Sequence, residues 1–198
     1  MSEAAARAAR IVQDGRAKAY RPLAPDARVR ALRAALEAYA RGDFFAAHEL
    51  LEPAWMGAAD LAERAFHQGL IKLAAAYVHA VRGNPTGVVK NLRGARERLE
   101  RARLAGPALG RELGLGAPVD LDGVVAAIDE RLGRLEALGL AGRAGSDDLA
   151  GRAGLEDLAG RTGSDRPAGP ARPSRRASAH DLLALVPPPV LEADGSPR

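Results

Sequence analysis

Inside RGDFFAAHELLEPAW a histidine and a glutamate stand four residues apart, His48 and Glu52, with Trp55 three further on. On an α-helix that spacing turns all three side chains to one side, where an imidazole and a carboxylate can converge on one point. Neutral imidazole nitrogens and carboxylate oxygens are the donors that a divalent metal ion takes. His48 and Glu52 are therefore the candidate ligands, with Glu49 and His67 as candidates to complete the shell and water in the open positions. The competing reading is a buried polar network in which His48, Glu52, Gln68 and Lys72 satisfy one another and fix the helix packing. The absence of cysteine excludes thiolate sites, thiol catalysis and disulfides. Serines lie mostly beyond residue 140 and no Gly-rich phosphate loop follows a strand, so no familiar catalytic set competes. The sequence names no substrate, reaction or process, and whether the chain is an enzyme stays open.

The elements that must position these residues read as helices. Pro25 and Asp26 open a run whose Val29, Leu32, Ala35, Leu36 and Tyr39 keep the 3.6-residue period, and Gly42 sits where a left-handed cap belongs. Asp43 suits an N-cap for a second helix to about Met56. Asp60 with Glu63 has the form of a capping box opening a long helix to Arg82. Gly83, Asn84 and Pro85 end that helix and start the next, which runs to about Ala105, and Leu121 to Leu138 forms a last amphipathic helix. No segment reads as a strand. The expected fold is all-α, a small antiparallel bundle built from αα-hairpins. Arg41-Gly42-Asp43 and Arg82-Gly83-Asn84 head a weak internal echo that also pairs Leu51 with Leu92 and Ala54 with Ala95.

At about 1.5 Å of rise per residue, an antiparallel hairpin places His48 opposite roughly residues 69–72 and Glu52 opposite roughly 65–68. His67, Gln68 and Lys72 are then the nearest polar neighbours. His79 lies roughly 12 Å further along the axis, too far for the same shell, and is expected to pack or hydrogen-bond near the helix end. Trp55 reads as a structural core anchor whose indole N–H finds an acceptor, Asn84 as a structural cap, and Phe44, Phe45 and Phe66 as core.

Net charge is +4 with a pI near 9.9. Beyond residue 140 arginines and acids balance, so the excess belongs to the bundle. There Glu97 and Glu100 interleave with basic residues between Lys90 and Arg103 at helical pairing distances, which argues for a solvated face and against a nucleic-acid partner. The N-terminus lacks the layout of a secretory signal, and no apolar run approaches the about 20 residues of a membrane span. A cytoplasmic protein with no membrane partner is expected. Residues 1–23 read as an N-terminal arm and 24–140 as the helical bundle domain. Residues 141–178 read as a low-complexity disordered linker with nonapeptide repeats, and 179–198 as a short apolar, Pro-rich segment that docks back on the core. The stretch Ala65–Val81 is apolar nearly all round and demands cover from the bundle or from a second subunit, so a homodimer is a candidate assembly.

The stretch from Arg41 to Leu99 resembles the bacterial and archaeal domain of unknown function 309, a small all-helical family with the signature His-x-x-x-Glu-x-x-Trp/Tyr, met here by His48, Glu52 and Trp55. FHQGLIKLAAAYVH and RGNPTG, with Gln68, Gly69, His79, Gly83 and Asn84, are similar to that family's second helix and following turn. The resemblance implies a helical fold and a signature that has been suggested to bind metal. Where the family usually carries glutamine this chain has Lys72, whose ammonium would reach Glu52. Three functional classes follow: a metal site with a divalent cofactor, a purely structural polar network, and a helical interaction module that presents a groove to a partner protein or to its own C-terminal segment.

Overall fold

The computed structural model describes residues 10–13, 16–19, 21–104, 113, 120–140 and 183–184. Among the described residues five helices carry the fold: α1 (Pro25–Ala40), α2 (Phe44–Gly57), α3 (Leu61–Val81), α4 (Pro85–Arg103) and α5 (Leu121–Ala137). Each packs chiefly on its neighbour in sequence, so the chain folds as successive αα-hairpins. Residues 141–178 and most of 179–198, the expected linker and C-terminal segment, lie outside the described residues.

Capping side chains set the helix starts. Asp43 accepts from Ala46 N at 3.0 Å, Asp60 from Ala62 N and Glu63 N at 2.9 and 2.8 Å, Asn84 from Gly87 N at 3.0 Å, and Asp120 from Gly123 N at 2.8 Å. Each satisfies donors that the first helical turn leaves open. Gly42 and Gly83 end α1 and α3 at φ 81° and 65°, a left-handed conformation that a Cβ disfavours.

The all-round apolar α3 is the axis of the core. Leu73, Ala76, Tyr77 and Ala80 have no exposed surface, and α2 and α4 supply the cover that its composition requires. Burial of a whole side chain such as Leu73 is worth about 1.5–3 kcal/mol, so this helix concentrates the stability. Tyr39 of α1, Phe44 of α2 and Tyr77 of α3 meet edge to face and tilted, with ring centroids 5.2–6.0 Å apart. At Gly69 a Cβ would stand 2.6 Å from Leu99 side-chain atoms, so glycine there lets α3 and α4 approach.

Two expectations are corrected. The N-terminal arm holds a two-stranded antiparallel sheet, β1 (Arg10–Gln13) with β2 (Arg16–Ala19), in which Ile11 pairs with Lys18 and Val12 with Ala17. Asp14-Gly15 between them is the sequence pair that favours a two-residue hairpin connection, a signal overshadowed by the helical composition around it. Phe45 is not core: it is 47% exposed, because it lies on the flank of α2 that carries Glu49 and Glu52, away from the buried stripe of Phe44, Ala47, His48, Leu51 and Trp55.

Candidate functional site

The buried stripe of α2 fixes where the motif points. His48 falls on it and is 2% exposed, while Glu52 is half-buried at its border and the Glu49 side chain is 55% exposed. His48 Nδ1 lies 3.3 Å from Glu49 Oε1, so the carboxylate of the adjacent residue stands at the rim of the buried imidazole. Trp55 is 5% exposed and anchors α2 as expected, with the Arg64 guanidinium 4.6 Å above its ring. Its indole N–H is buried with no acceptor among the described residues, contrary to expectation.

His67 is wholly buried on α3. Its Nδ1 donates to the Glu63 carbonyl at 3.0 Å, which fixes the tautomer with a bare Nε2, and that nitrogen is buried without a partner. Burial pushes its pKa below the ordinary 6.5, against the opposing pull of the Glu63 carbonyl bond. Burial thus favours the neutral ring. Gln68 is turned toward α4, where its Oε1 accepts from Arg98 Nε at 3.2 Å. Lys72 leans the same way: a Cβ on Gly94 would touch its Cδ at 3.5 Å. Gln68 thus reaches toward α4, and the stem of Lys72 passes Gly94 of the same helix.

At the far end of α3, His79 behaves as its position implied. Asn84 caps α4 through Oδ1 and places Nδ2 3.2 Å from His79 Nδ1, so the imidazole nitrogen accepts. Burial lowers its pKa first, then the nearby Arg82, Lys72 and Lys90 charges.

Sequence reasoning missed two groups. Arg28 donates to both carboxylate oxygens of Glu63 (2.7 and 3.1 Å) and to the carbonyls of Gly57 (3.0 Å) and Leu23 (3.4 Å), joining α1 to both sides of the α2–α3 turn. No local pattern links residues so far apart in sequence. Arg131 of α5, almost fully buried, hydrogen-bonds Tyr77 and sits near Tyr39. Burial pushes the Tyr77 phenol up to about 12, with Arg131 opposing, and lifts Tyr39 well above its usual value. The inward turn of Leu132 and Leu135 on α5 was the signal that Arg131, beside them, would be drawn in along its stem.

What these features define is an antiparallel α-hairpin bundle with a buried histidine on each of two adjacent helices and an acidic rim outside the first. Residues 32–91, from α1 into α4, match the family model described as Domain of unknown function (DUF309). No curated protein and no solved structure matches the chain. Among the described residues no group of three or more His, Asp or Glu side chains is placed to hold a metal ion, and no helix is long and apolar enough to cross a membrane. His48, Glu49, Glu52 and His67 therefore do not assemble a first coordination shell by themselves.

Proposed function

We propose that the bundle is a docking module, a helical platform for an apolar peptide segment, and that the chain's own C-terminal stretch around Leu183 is such a segment. The observation that carries this reading is the placement of Leu183, half-buried and packed against the hydrophobic core, while the adjacent Ala184 is exposed. One face of a short helical piece thus meets the bundle, as in helix-in-groove recognition. Polar pairs between helices serve the platform: Arg28 of α1 with Glu63 of α3, and Gln68 of α3 with Arg98 of α4, fix how the helices sit. Leu183→Asp in the full chain is expected to cost about 1–2 kcal/mol, the burial of part of one leucine, and to speed proteolysis beyond residue 140. Unchanged denaturation and unchanged cleavage together would refute the docking.

A second reading, a metal or small-ligand site, is favoured by one observation. The bare, buried Nε2 of His67, with Nδ1 oriented by a carbonyl, is how a metal-ligating histidine is held. It ranks second because a lone imidazole makes a weak site. Metal analysis of untagged protein tests it: stoichiometric metal lost in His67→Ala and in His48→Ala would place this reading first, and no metal in the wild type would end it.

A further inference from the structure

Where α1, α3 and α5 meet, three polar groups from three helices gather inside the bundle: the Tyr39 and Tyr77 hydroxyls and the Arg131 guanidinium. The two phenol rings stand edge to face with centroids 6.0 Å apart, and the Phe44 ring closes the triangle at 5.2 Å from each. Arg131 hydrogen-bonds Tyr77 and donates through Nη1 to the Ala127 carbonyl at 2.6 Å. The Tyr39 hydroxyl, held in the same cluster, is buried with no hydrogen-bond partner among the described residues.

A phenol O–H buried without an acceptor costs the free energy of desolvating that group, so an acceptor brought to it is rewarded. The sign of the local charge selects which acceptor. Burial lifts the Tyr39 pKa first, the Tyr77 phenol adds to the lift, and Arg131 opposes it, so the fixed charge that reaches the hydroxyl is a cation. Beside a guanidinium an anion accepts a charge-assisted bond, whereas a metal ion is repelled. The guanidinium carries five N–H donors in a planar fork and can serve Tyr77, Ala127 and a further acceptor together. Its side chain keeps 10% of its surface exposed, which leaves an entry from solvent. The rings of Tyr39, Phe44 and Tyr77 close the inner side, so the occupant must be small. One carboxylate competes. Glu130 Oε2 lies 3.8 Å from Arg131 Nη1, but that side chain is 56% exposed and its Oε1 is engaged by Arg134, which holds it at the rim.

We infer that the junction of α1, α3 and α5 is a binding site for a small monovalent anion of the halide class, held by the Tyr39 O–H and the Arg131 guanidinium. The anion gives the buried hydroxyl its acceptor and offsets a cation that the fold has drawn out of water. Because the three groups converge only when α5 lies on α1 and α3, the anion binds the folded chain and stabilises it in proportion to its free concentration over its dissociation constant. The site uses neither the His48–Glu52 motif nor Leu183, so it stands or falls separately from both readings above.

Melting of the full chain in sodium chloride and in sodium gluconate at equal ionic strength tests the inference, with chloride NMR line broadening as the direct measure of binding. Chloride is expected to raise the melting temperature in a saturable way, and gluconate, too large to enter, to add only the general effect of salt. Tyr39→Phe removes one oxygen atom that has no partner in the fold, so the variant should fold, and it should weaken chloride binding about tenfold or more, the worth of one hydrogen bond to a charged group. Arg131→Met should abolish binding; if that variant does not fold, Tyr39→Phe and Glu130→Gln decide alone. Glu130→Gln, which takes the competing charge from the rim, should tighten binding. Arg30→Gln, the loss of an exposed cation on α1, should leave it unchanged. Coincident chloride and gluconate curves would overturn the proposal, and so would an unchanged affinity in Tyr39→Phe. Equal weakening in Arg30→Gln and Tyr39→Phe would show diffuse attraction and overturn it as well.

Discussion

The α1–α2 and α3–α4 turns are built from the same parts and differ in what stands over them. Both run Arg-Gly-cap: Gly42 and Gly83 take left-handed φ, and Asp43 and Asn84 each accept a backbone N–H at 3.0 Å three residues on. The helices that follow keep the same buried positions. Leu51 answers Leu92, Ala54 answers Ala95, and buried His48 answers buried Val89. At the end of the preceding helix, however, the first turn has the small Ala38 where the second has His79. The second turn makes room for that ring with Gly87, where the first has Ala46, and holds it with the Asn84 amide, whose N–H an aspartate lacks. One backbone solution thus supports two chemistries: an inert joint, and a joint with a titratable ring under it.

The largest expected effect is at Gly87. A Cβ there would lie 2.5 Å from His79 Cγ and Nδ1, a clash with a ring held in place, so Gly87→Ala should cost about 3 kcal/mol by overpacking, or about 2 kcal/mol after what alanine returns in helix propensity. Adding His79→Ala should restore the loss, and a double-mutant cycle by chemical denaturation that shows no coupling would mean the ring does not set the residue. Next come the turn glycines: Gly42→Ala and Gly83→Ala should each cost about 1–2 kcal/mol for a left-handed alanine, by the same assay. Unequal losses would separate the two turns at the backbone, where they now look alike.

Cap removal ranks third. Asp43→Ala should cost about 1 kcal/mol, and Asn84→Ala more, because it also strips His79 of its donor; equal costs would mean that the amide contact is idle.

The smallest effect is the dependence on pH. Burial holds His79 and His67 below 6.5 in the folded chain, so as pH falls through that value the unfolded state takes up protons first. Their contribution is complete above about pH 6.5 and declines below it. Denaturation midpoints measured between pH 8 and 5 should drop, and should drop less in His79→Gln and His67→Gln. Asn84→Asp, which keeps the cap but adds a negative charge, should raise the His79 titration seen by NMR.

The bundle was legible because its boundaries are written locally. Pro25, Asp43, Asp60, Asn84 and Pro85 mark starts, and Gly42 and Gly83 mark stops, in residues that act on their own turn. The burial of His48 was legible too, since it shares the α2 stripe with Leu51. Direction about the helix axis was harder. Phe45 looked like core because it is aromatic, and a single step of rotation past Phe44 brings it to the surface. The partners of Gln68 and Arg28 depend on how α4 and α1 are seated, which no spacing within one helix encodes. The β1–β2 hairpin was missed because each strand is only four residues long, too short for an alternating pattern to stand out.

The Arg28 clasp also orders the folding sequence. Its acceptors, Gly57 on one side of the α2–α3 turn and Glu63 on the other, come together only after that hairpin has closed. Docking of α1 is then a late event laid over an early local one, and Arg28→Ala should speed unfolding while leaving the refolding rate almost untouched.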